Sequence, residues 1–558
     1  MPGLFEAHRE LLEQALEAIA ARGYWSAYPE SPSKRIYGET APADGEAGFK
    51  ALLATPFDLG AHPGKDARVG AERSPYGFDL GIDYPQAGVA ELIAASEAAG
   101  SGWARASAEA RTGACLEILK RLNAQSFLMA HAVMHTTGQS FVMAFQAGGP
   151  HAQDRGLEAV AYAYQEMARV PQSVLWEKPQ GKQDPIRLDK SYRILPRGIG
   201  LVIGCSTFPT WNGYPGLFAS LATGNTVIVK PHPGAVLPLA LTVRIAREAL
   251  EEEGFDPNVL LLAADSAEAP ITKELVTHPA VGIVDFTGGP AFGDWVKANA
   301  AGAQVYSEQA GVNSVVIDST DTFKALCQNL AFSLSLYSGQ MCTAPQNIYV
   351  PKDGIETEDG RKSFDEVAQG LATAVDKLLG DPERAAGVLG AVQNPATQER
   401  VQKLAKAAGA DLLRAPQPVE IPGFAEARAL SPALIRATAG QGGAFTQECF
   451  GPVAFVIATE DTADSIAAAA GLAAEKGAIT AAAYSTDDAV LDRAAEAFGR
   501  AGVSLSCNLT GGIFVNQSAA FSDYHVSGAN PAGNACLTDA AFVANRFRVV
   551  AQRRPHAA

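Results

Sequence analysis

The sequence predicts an α/β protein made of two successive units, each with a mostly parallel, doubly wound sheet. Three observations predict it. From about residue 186, short β-branched runs alternate with amphipathic helical patterns, as in parallel sheets crossed by helices. A second alternation of the same kind begins near 309. The chain has 558 residues, too many for one compact core, so it should divide into two or more domains.

The elements follow in order. Residues 4–22 carry a helical pattern, and a stretch rich in Pro, Gly and Tyr then reads as an irregular surface extension up to about 86. From 87 to 170 apolar residues recur at three- and four-residue spacing, which predicts a run of helices. In YRILPRGIGLVIGC a strand, a turn and a buried strand are expected, followed by the helix YPGLFASLATG and the strand NTVIVK. LPLALTVRIAREALEEEG reads as a helix stopped at Gly254. VLLLAAD and VGIVDF are further strands. The second unit holds the strand NSVVID, a helix over 321–340, the strand QNIYVP, helices over 362–380 and 396–409, the strand FVIAT, a helix over 462–476 and the strand AAAYS. After 505 the chain is rich in Gly, Asn and Ser until the strand-like FRVVAQ.

Composition excludes several partners. With 44 basic and 60 acidic residues the net charge is −16, which disfavours nucleic acid and anionic membranes. Seven scattered cysteines with no CxxC pair argue against a disulfide scaffold and a zinc site. The N-terminal segment reads as a charged amphipathic helix rather than a leader, and no apolar run in the sequence approaches a membrane span. A cytoplasmic location is the expectation.

Five segments carry candidate chemistry. In SGQMCTAPQNIYV, Cys342 lies between a helix and a strand, after Gly339 and Gln340. A nucleophilic cysteine needs thiolate character and nearby N–H groups to hold an oxyanion, whereas an inert buried thiol needs neither. In VYSEQAGVNSVVI, Glu308 ends a strand, where burial can make a carboxylate a general base; a plain solvated glutamate is the bland alternative. In VDFTGGPAFG, Thr287, Gly288 and Gly289 stand between a strand and a helix whose first N–H groups favour phosphate, although a tight turn needs the same glycines. Lys230 ends the strand of ATGNTVIVKPHPG, at the sheet edge where α/β proteins bind ligands, and the alternative is a snorkelling surface lysine. TQECFGPV sets Glu448 and Phe450 before a Gly-Pro turn, which by itself is only a loop.

Together the five segments resemble the aldehyde dehydrogenase superfamily in order and spacing, over about residues 87–545. FTGG is similar to the family's FTGS, GQMCTA to its GQxCxA, and ECFGPV to its E-I-F-G-P-V. The resemblance implies oxidation of a small-molecule aldehyde to a carboxylate with NADP or NAD. Cys342 would form a thiohemiacetal and then a thioester, and Glu308 would activate the hydrolytic water. Lys230 would bind the adenosine ribose, Gly289 would mark the helix facing the pyrophosphate, Glu448 would hold the nicotinamide ribose and Phe450 would pack near that ring. It also implies a Rossmann-like cofactor domain, an α/β catalytic domain and a small β element for oligomerisation. The boundaries expected are an extension at 1–86 packed on the cofactor domain, the cofactor domain at 87–308, the catalytic domain at 309–510 and a tail at 511–558. The strand near 186–197 would pair with FRVVAQ, and such an exposed edge invites a homodimer or homotetramer. The front extension and the tail GIFVNQSAAFSDYHVSGANPAGNACLTDAAFVANRFRVV are similar to the PaaN branch, tied to a CoA-thioester semialdehyde of aerobic phenylacetate degradation.

The departures from the family pattern bear on detail. Counting back from Lys230, the family's oxyanion-hole asparagine falls at Thr207, whose hydroxyl can donate one hydrogen bond; Asn212 is the alternative donor. A lysine often present on the next helix is Gly216 here, and the FTGS serine is Gly289. Where NAD users often carry a glutamate, this chain has Pro233, beside His232. That removes a repulsion to a 2′-phosphate, so NADP should be accepted, and preferred. Two other readings stay open: an acyl-transferring relative that hands the acyl group to CoA or phosphate, and a silent binding protein. Glu308 favours hydrolysis over acyl transfer, because transferring relatives typically lack it.

Overall fold

The computed structural model describes residues 3–64, 66–300, 302–309 and 311–557. Its first sheet has five parallel strands, in the order Leu260–Leu262, Thr226–Lys230, Ile199–Ile203, Val281–Gly288, Gln304–Gln309. Ile199–Ile203 and Thr226–Lys230 are buried along their whole length. Helices cover both faces of such a sheet, so its strands read as unbroken apolar runs rather than alternating ones. The chain starts at the middle strand, builds outward to one edge, and returns to build the other. The order therefore reverses between Ile199–Ile203 and Val281–Gly288, and the crevice beyond their C-terminal ends is where doubly wound sheets take ligands.

The second sheet has seven strands, in the order Leu412–Arg414, Ala433–Thr438, Val453–Thr459, Asn347–Pro351, Ser314–Ile317, Thr480–Tyr484, Ser504–Cys507. All neighbours run parallel except the first pair, which is antiparallel. The fold is thus mixed α/β with a Rossmann-like sheet and a second parallel sheet. The strands at 412–414, 433–438 and 504–507 have too little periodicity to be recognised from the sequence.

The third sheet stands apart. Its antiparallel strands Ser173–Gln180, Gln183–Pro196 and Phe547–Pro555 join the middle of the chain to its end, with Phe547 opposite Pro196 and Pro555 opposite Leu188. The 173–180 strand is an addition to the expected pair.

Two other regions depart from expectation. The front segment is more regular than its Pro and Gly content implies. Helix Ala41–Leu52 inserts Phe49, and helix Arg9–Ala21 inserts Leu12, Ala15 and Ile19, into the core shared with the helices of 108–168. The helix expected over 321–340 stops at Ser335. Tyr337, Ser338 and Gly339 then take left-handed backbone angles (φ 53°, 51° and 63°), reversing the chain just before Cys342. Gly339 is required there twice over: a side chain would be strained at that φ, and its Cβ would stand 2.5 Å from the Gly451 carbonyl oxygen. That approach also docks the loop carrying Glu448 and Phe450 against the turn before Cys342. Among the described residues, no helix is long and apolar enough to cross a membrane.

Candidate active site

Cys342 sits half-buried on a short loop between the left-handed turn and strand Asn347–Pro351, beside Ile479, Val526 and Ala532. Asn313 fixes this loop. Its Nδ2 donates to the carbonyls of Cys342 (2.8 Å) and Ala344 (2.9 Å), while its Oδ1 accepts from the backbone N–H groups of Ile479 (2.9 Å) and Thr480 (3.1 Å). Thr343 donates its hydroxyl to the Asn516 carbonyl at 2.7 Å. Both amide ends of Asn313 are thus used, so the thiol is presented by a loop with little freedom.

Glu308 reaches the thiol from the other sheet. It ends strand Gln304–Gln309, paired with Thr287, and is buried. The tail passes over it. The Ser307 N–H donates to Asn534 Oδ1 at 2.8 Å, and the Gln309 N–H donates to the Ala532 carbonyl at 2.6 Å. From the same tail comes a residue that the sequence reading missed. His525 Nε2 lies 3.1 Å from Glu308 Oε1, and the carboxylate, the imidazole and Cys342 Sγ are all within 4.8 Å of one another. The other oxygen, Oε2, accepts a 2.9 Å bond from Asn212 Nδ2. Behind them, the His525 ring meets Trp211 edge-on at 4.7 Å, and Arg155 lies over the Trp211 ring at 3.7 Å. A lone histidine in an irregular tail has no periodic or spacing signal, so only the fold brings it to the site.

The electrostatics assign the proton at rest. Burial pushes the Glu308 carboxyl up, but His525, Arg155 and a hydrogen bond from the thiol more than offset this and hold it below its usual value. Burial and the adjacent Glu308 charge push the Cys342 thiol well above its usual value. The resting pair is therefore a thiol beside a carboxylate. The thiolate character expected from the sequence is absent until the proton moves to Glu308.

The remaining candidates divide. Asn212, in the first turn of helix Pro209–Ala222, points into the site, whereas Thr207 lies against Cys205 and its carbonyl accepts from Gln139 Nε2 at 2.9 Å. Gly216 must be glycine, because a Cβ there would stand 2.4 Å from the Asp285 carboxyl carbon. Thr287 and Gly288 end strand Val281–Gly288, and Gly289 leads into helix Pro290–Asn299 with open space where a side chain would project. A dinucleotide phosphate fits there, because the helix N-terminus offers N–H groups and nothing crowds them. Lys230 is buried, with Nζ 2.7 Å from Asp265 Oδ1 and 2.6 Å from the Pro231 carbonyl. Asp265 is thus a second functional candidate that the sequence reading passed over. Pro233 lies next to His232, whose Nδ1 accepts from the Gly234 N–H at 3.1 Å and so caps the turn. Glu448 is half-buried, and burial raises its carboxyl to about 7, opposed by Arg400. The Phe450 carbonyl is held by Arg400.

A cavity of about 760 Å³ leads from the surface to Cys342. The arrangement offers a cysteine nucleophile on the cavity wall, with a carboxylate base and an amide donor beside it.

Known proteins share this sequence pattern and fold. The model of the aldehyde dehydrogenase family matches residues 82–534. A solved structure titled an NAD-dependent aldehyde dehydrogenase from Burkholderia multivorans is 57% identical, covers 100% of both chains and superposes with a TM-score of 0.98. A mutant form of the 1-pyrroline-5-carboxylate dehydrogenase of Thermus thermophilus is 19% identical over 96% of this chain and 99% of its own, with a TM-score of 0.76, and so shares the fold. Among curated proteins, the 1-pyrroline-5-carboxylate dehydrogenase of Bacillus subtilis (strain 168) is 31% identical over 217 residues, 37% of this chain and 39% of that protein. The aligned region spans well under two thirds of that relative.

Proposed function

The chain belongs to the aldehyde dehydrogenase family, and we propose that it oxidises an aldehyde to a carboxylate through a thioester on Cys342. The observation that carries the reading is the meeting of Cys342, Glu308 and His525 within 4.8 Å, with Cys342 on the wall of the cavity. Glu308 accepts the thiol proton as Sγ bonds to the aldehyde carbon, and the carbonyl π electrons move to oxygen. Asn212 Nδ2 and the Cys342 N–H then donate to that oxyanion. Asn212 is preferred to Thr207 because its amide already points at the reacting groups. NAD, when bound, supplies the acceptor for the hydride that leaves this carbon. Once the proton gained in the first step has left Glu308, the carboxylate deprotonates water, which attacks the thioester carbon; the C–S bond breaks and the sulfur recovers a proton.

The residues that would hold the cofactor are Lys230 and Asp265 on the ribose side, the Thr287–Gly289 turn at the phosphates, and Glu448 with Phe450 at the nicotinamide end. Against the preference for NADP expected from the sequence, NAD is favoured: the Lys230 ammonium that would pair with a 2′-phosphate is already paired with the Asp265 carboxylate at 2.7 Å, whose charge would oppose the phosphate. The 57%-identical Burkholderia protein is titled NAD-dependent, which supports the same choice.

For the finer assignment, the resemblance of the tail to the PaaN branch points to a CoA-thioester semialdehyde, whereas the aromatic lining of the cavity favours an uncharged aromatic aldehyde, and we take the cavity as the better guide. We propose a homodimer or homotetramer joined through the third sheet. Steady-state reduction of NAD and NADP by an aldehyde panel, with and without free CoA, tests the function. Free carboxylate should form at the same rate in both, with kcat/KM for NAD about tenfold or more above NADP. Formation of a CoA ester would instead establish the acyl-transferring reading, and a strong preference for NADP would overturn the cofactor assignment.

A further inference from the structure

The cavity that ends at Cys342 is walled in part by the N-terminal extension. Tyr24, Trp25, Ser26 and Glu30 line it together with residues of the helices and the tail. The extension is fastened there. Ser26 donates to Asp154 Oδ2 at 2.6 Å, the Ala27 N–H donates to Asp154 Oδ1 at 3.0 Å, and the Trp25 ring meets Phe521 edge-on at 4.7 Å. Nearer the thiol the wall is aromatic and thioether, with Phe208, Trp211, Met143 and Met341, and with Phe332 against Phe514 at 4.2 Å. Tyr24 and Ile513 remain 79% and 64% exposed, so the apolar lining reaches the surface.

The exposed carboxylates on this lining are Glu30 and Asp523, with His151 2.7 Å from Glu30; burial raises the Asp154 carboxyl to about 7, so it is only partly charged at neutral pH. Among the described residues no Lys or Arg lines the cavity. Arg155 is near, but it lies over the Trp211 ring and does not reach the cavity. A carboxylate or phosphate entering here would lose water against apolar walls, meet like charge and find no cation to pair with. The volume, about 760 Å³, is that of a site for a ligand well beyond a two- or three-carbon aldehyde.

Resting on the aldehyde-oxidising reading, we propose that the substrate is an uncharged aromatic or long apolar aldehyde, with the Tyr24–Glu30 segment forming the outer wall that selects it. An aldehyde carrying a free carboxylate or a CoA group is selected against.

The test compares aldehydes of matched length on the native protein with NAD: an arylalkyl aldehyde, its counterpart with a terminal carboxylate, a CoA-thioester semialdehyde, and propanal. The uncharged aryl compound should exceed both anionic ones in kcat/KM by about tenfold or more. Glu30 is exposed, so Glu30→Lys leaves the core intact, and it should narrow the gap by raising kcat/KM for the carboxylate compound several-fold. Trp25→Ala should lower the ratio of kcat/KM for the aryl aldehyde to that for propanal by about tenfold, mostly through KM. Anionic aldehydes used as well as the uncharged one, or unmoved ratios in both variants, would overturn the proposal. If no aldehyde of any class is oxidised, the catalytic reading fails instead. The charge preference is then read by quenching of tryptophan fluorescence with an uncharged arylalkyl alcohol against the matching carboxylate. Tighter binding of the carboxylate would overturn the proposal there too.

Discussion

At the scale of single residues, the account turns on where one proton rests. The Glu308 carboxyl is pushed up by burial and brought below its usual value by His525, Arg155 and the thiol. Activity that needs the carboxylate should therefore persist to lower pH than an ordinary glutamate allows. His525 acts on the reaction through Glu308, as a positioning residue. Removing it takes away a lowering influence and leaves burial, so in His525→Ala the acid limb of kcat/KM should move to higher pH, and His525→Gln, which keeps a donor, should move it less. An unmoved acid limb in His525→Ala would limit His525 to packing. Cys342 and Glu308 were expected as a pair only through the resemblance of five segments together, since neither segment alone separates a reacting group from a bland one. His525, Asn313 and Asp265 were not, because each acts on a residue far away in the chain. Asn212 was legible only as an alternative to Thr207, since both amide and hydroxyl can donate, and only the backbone path says which one faces the thiol.

Among elements, the C-terminal tail has the least regular structure and a large share of the site. It lays Ala532 and Asn534 along the Glu308 strand, delivers His525, and ends in strand Phe547–Pro555. Its anchor is Arg546. This guanidinium is fully buried, pairs with Asp285 through both terminal nitrogens, and donates to Ser220 Oγ at 2.7 Å. The same pair leaves no room for a side chain at Gly216. Arg546→Ala would strand the Asp285 charge in a largely buried place, at a cost of about 3–5 kcal/mol. A chemical-denaturation midpoint equal to that of the native protein would refute this anchoring role. Strands and helices with strong period were read correctly from the sequence. The path of the tail before its terminal strand, and the left-handed turn before Cys342, were not, because their geometry comes from tertiary contacts such as Gly339 against Gly451.

For the whole molecule, the third sheet is the unfinished surface. Val174, Leu175, Ile186, Leu195, Val549 and Val550 on its strands are each 42–46% exposed. Neighbouring residues in a strand face opposite ways, so the exposed pair Val549 and Val550 shows that both faces of the sheet carry apolar surface. A sheet of three strands open on both sides is poorly stable alone, and a second copy of the chain is the natural cover. Light scattering on the full chain should give a dimer or tetramer, and Val550→Glu should lower the mass; a native monomer would contradict this. The alternation of strands and helices made the two large sheets legible. The front extension was expected to pack on the cofactor domain, but the regularity of its helices was not legible, because its apolar residues are sparse and matter only where they meet the helices of 108–168.

The central claim is an acyl group held on Cys342 until Glu308 delivers water. Glu308→Gln, mixed with NAD and an uncharged aryl aldehyde, should release little NADH at steady state, and intact-mass spectrometry followed by peptide mapping should find the acyl adduct on Cys342. Sustained native-rate turnover with no adduct on Cys342, or an adduct confined to another cysteine, would contradict the account.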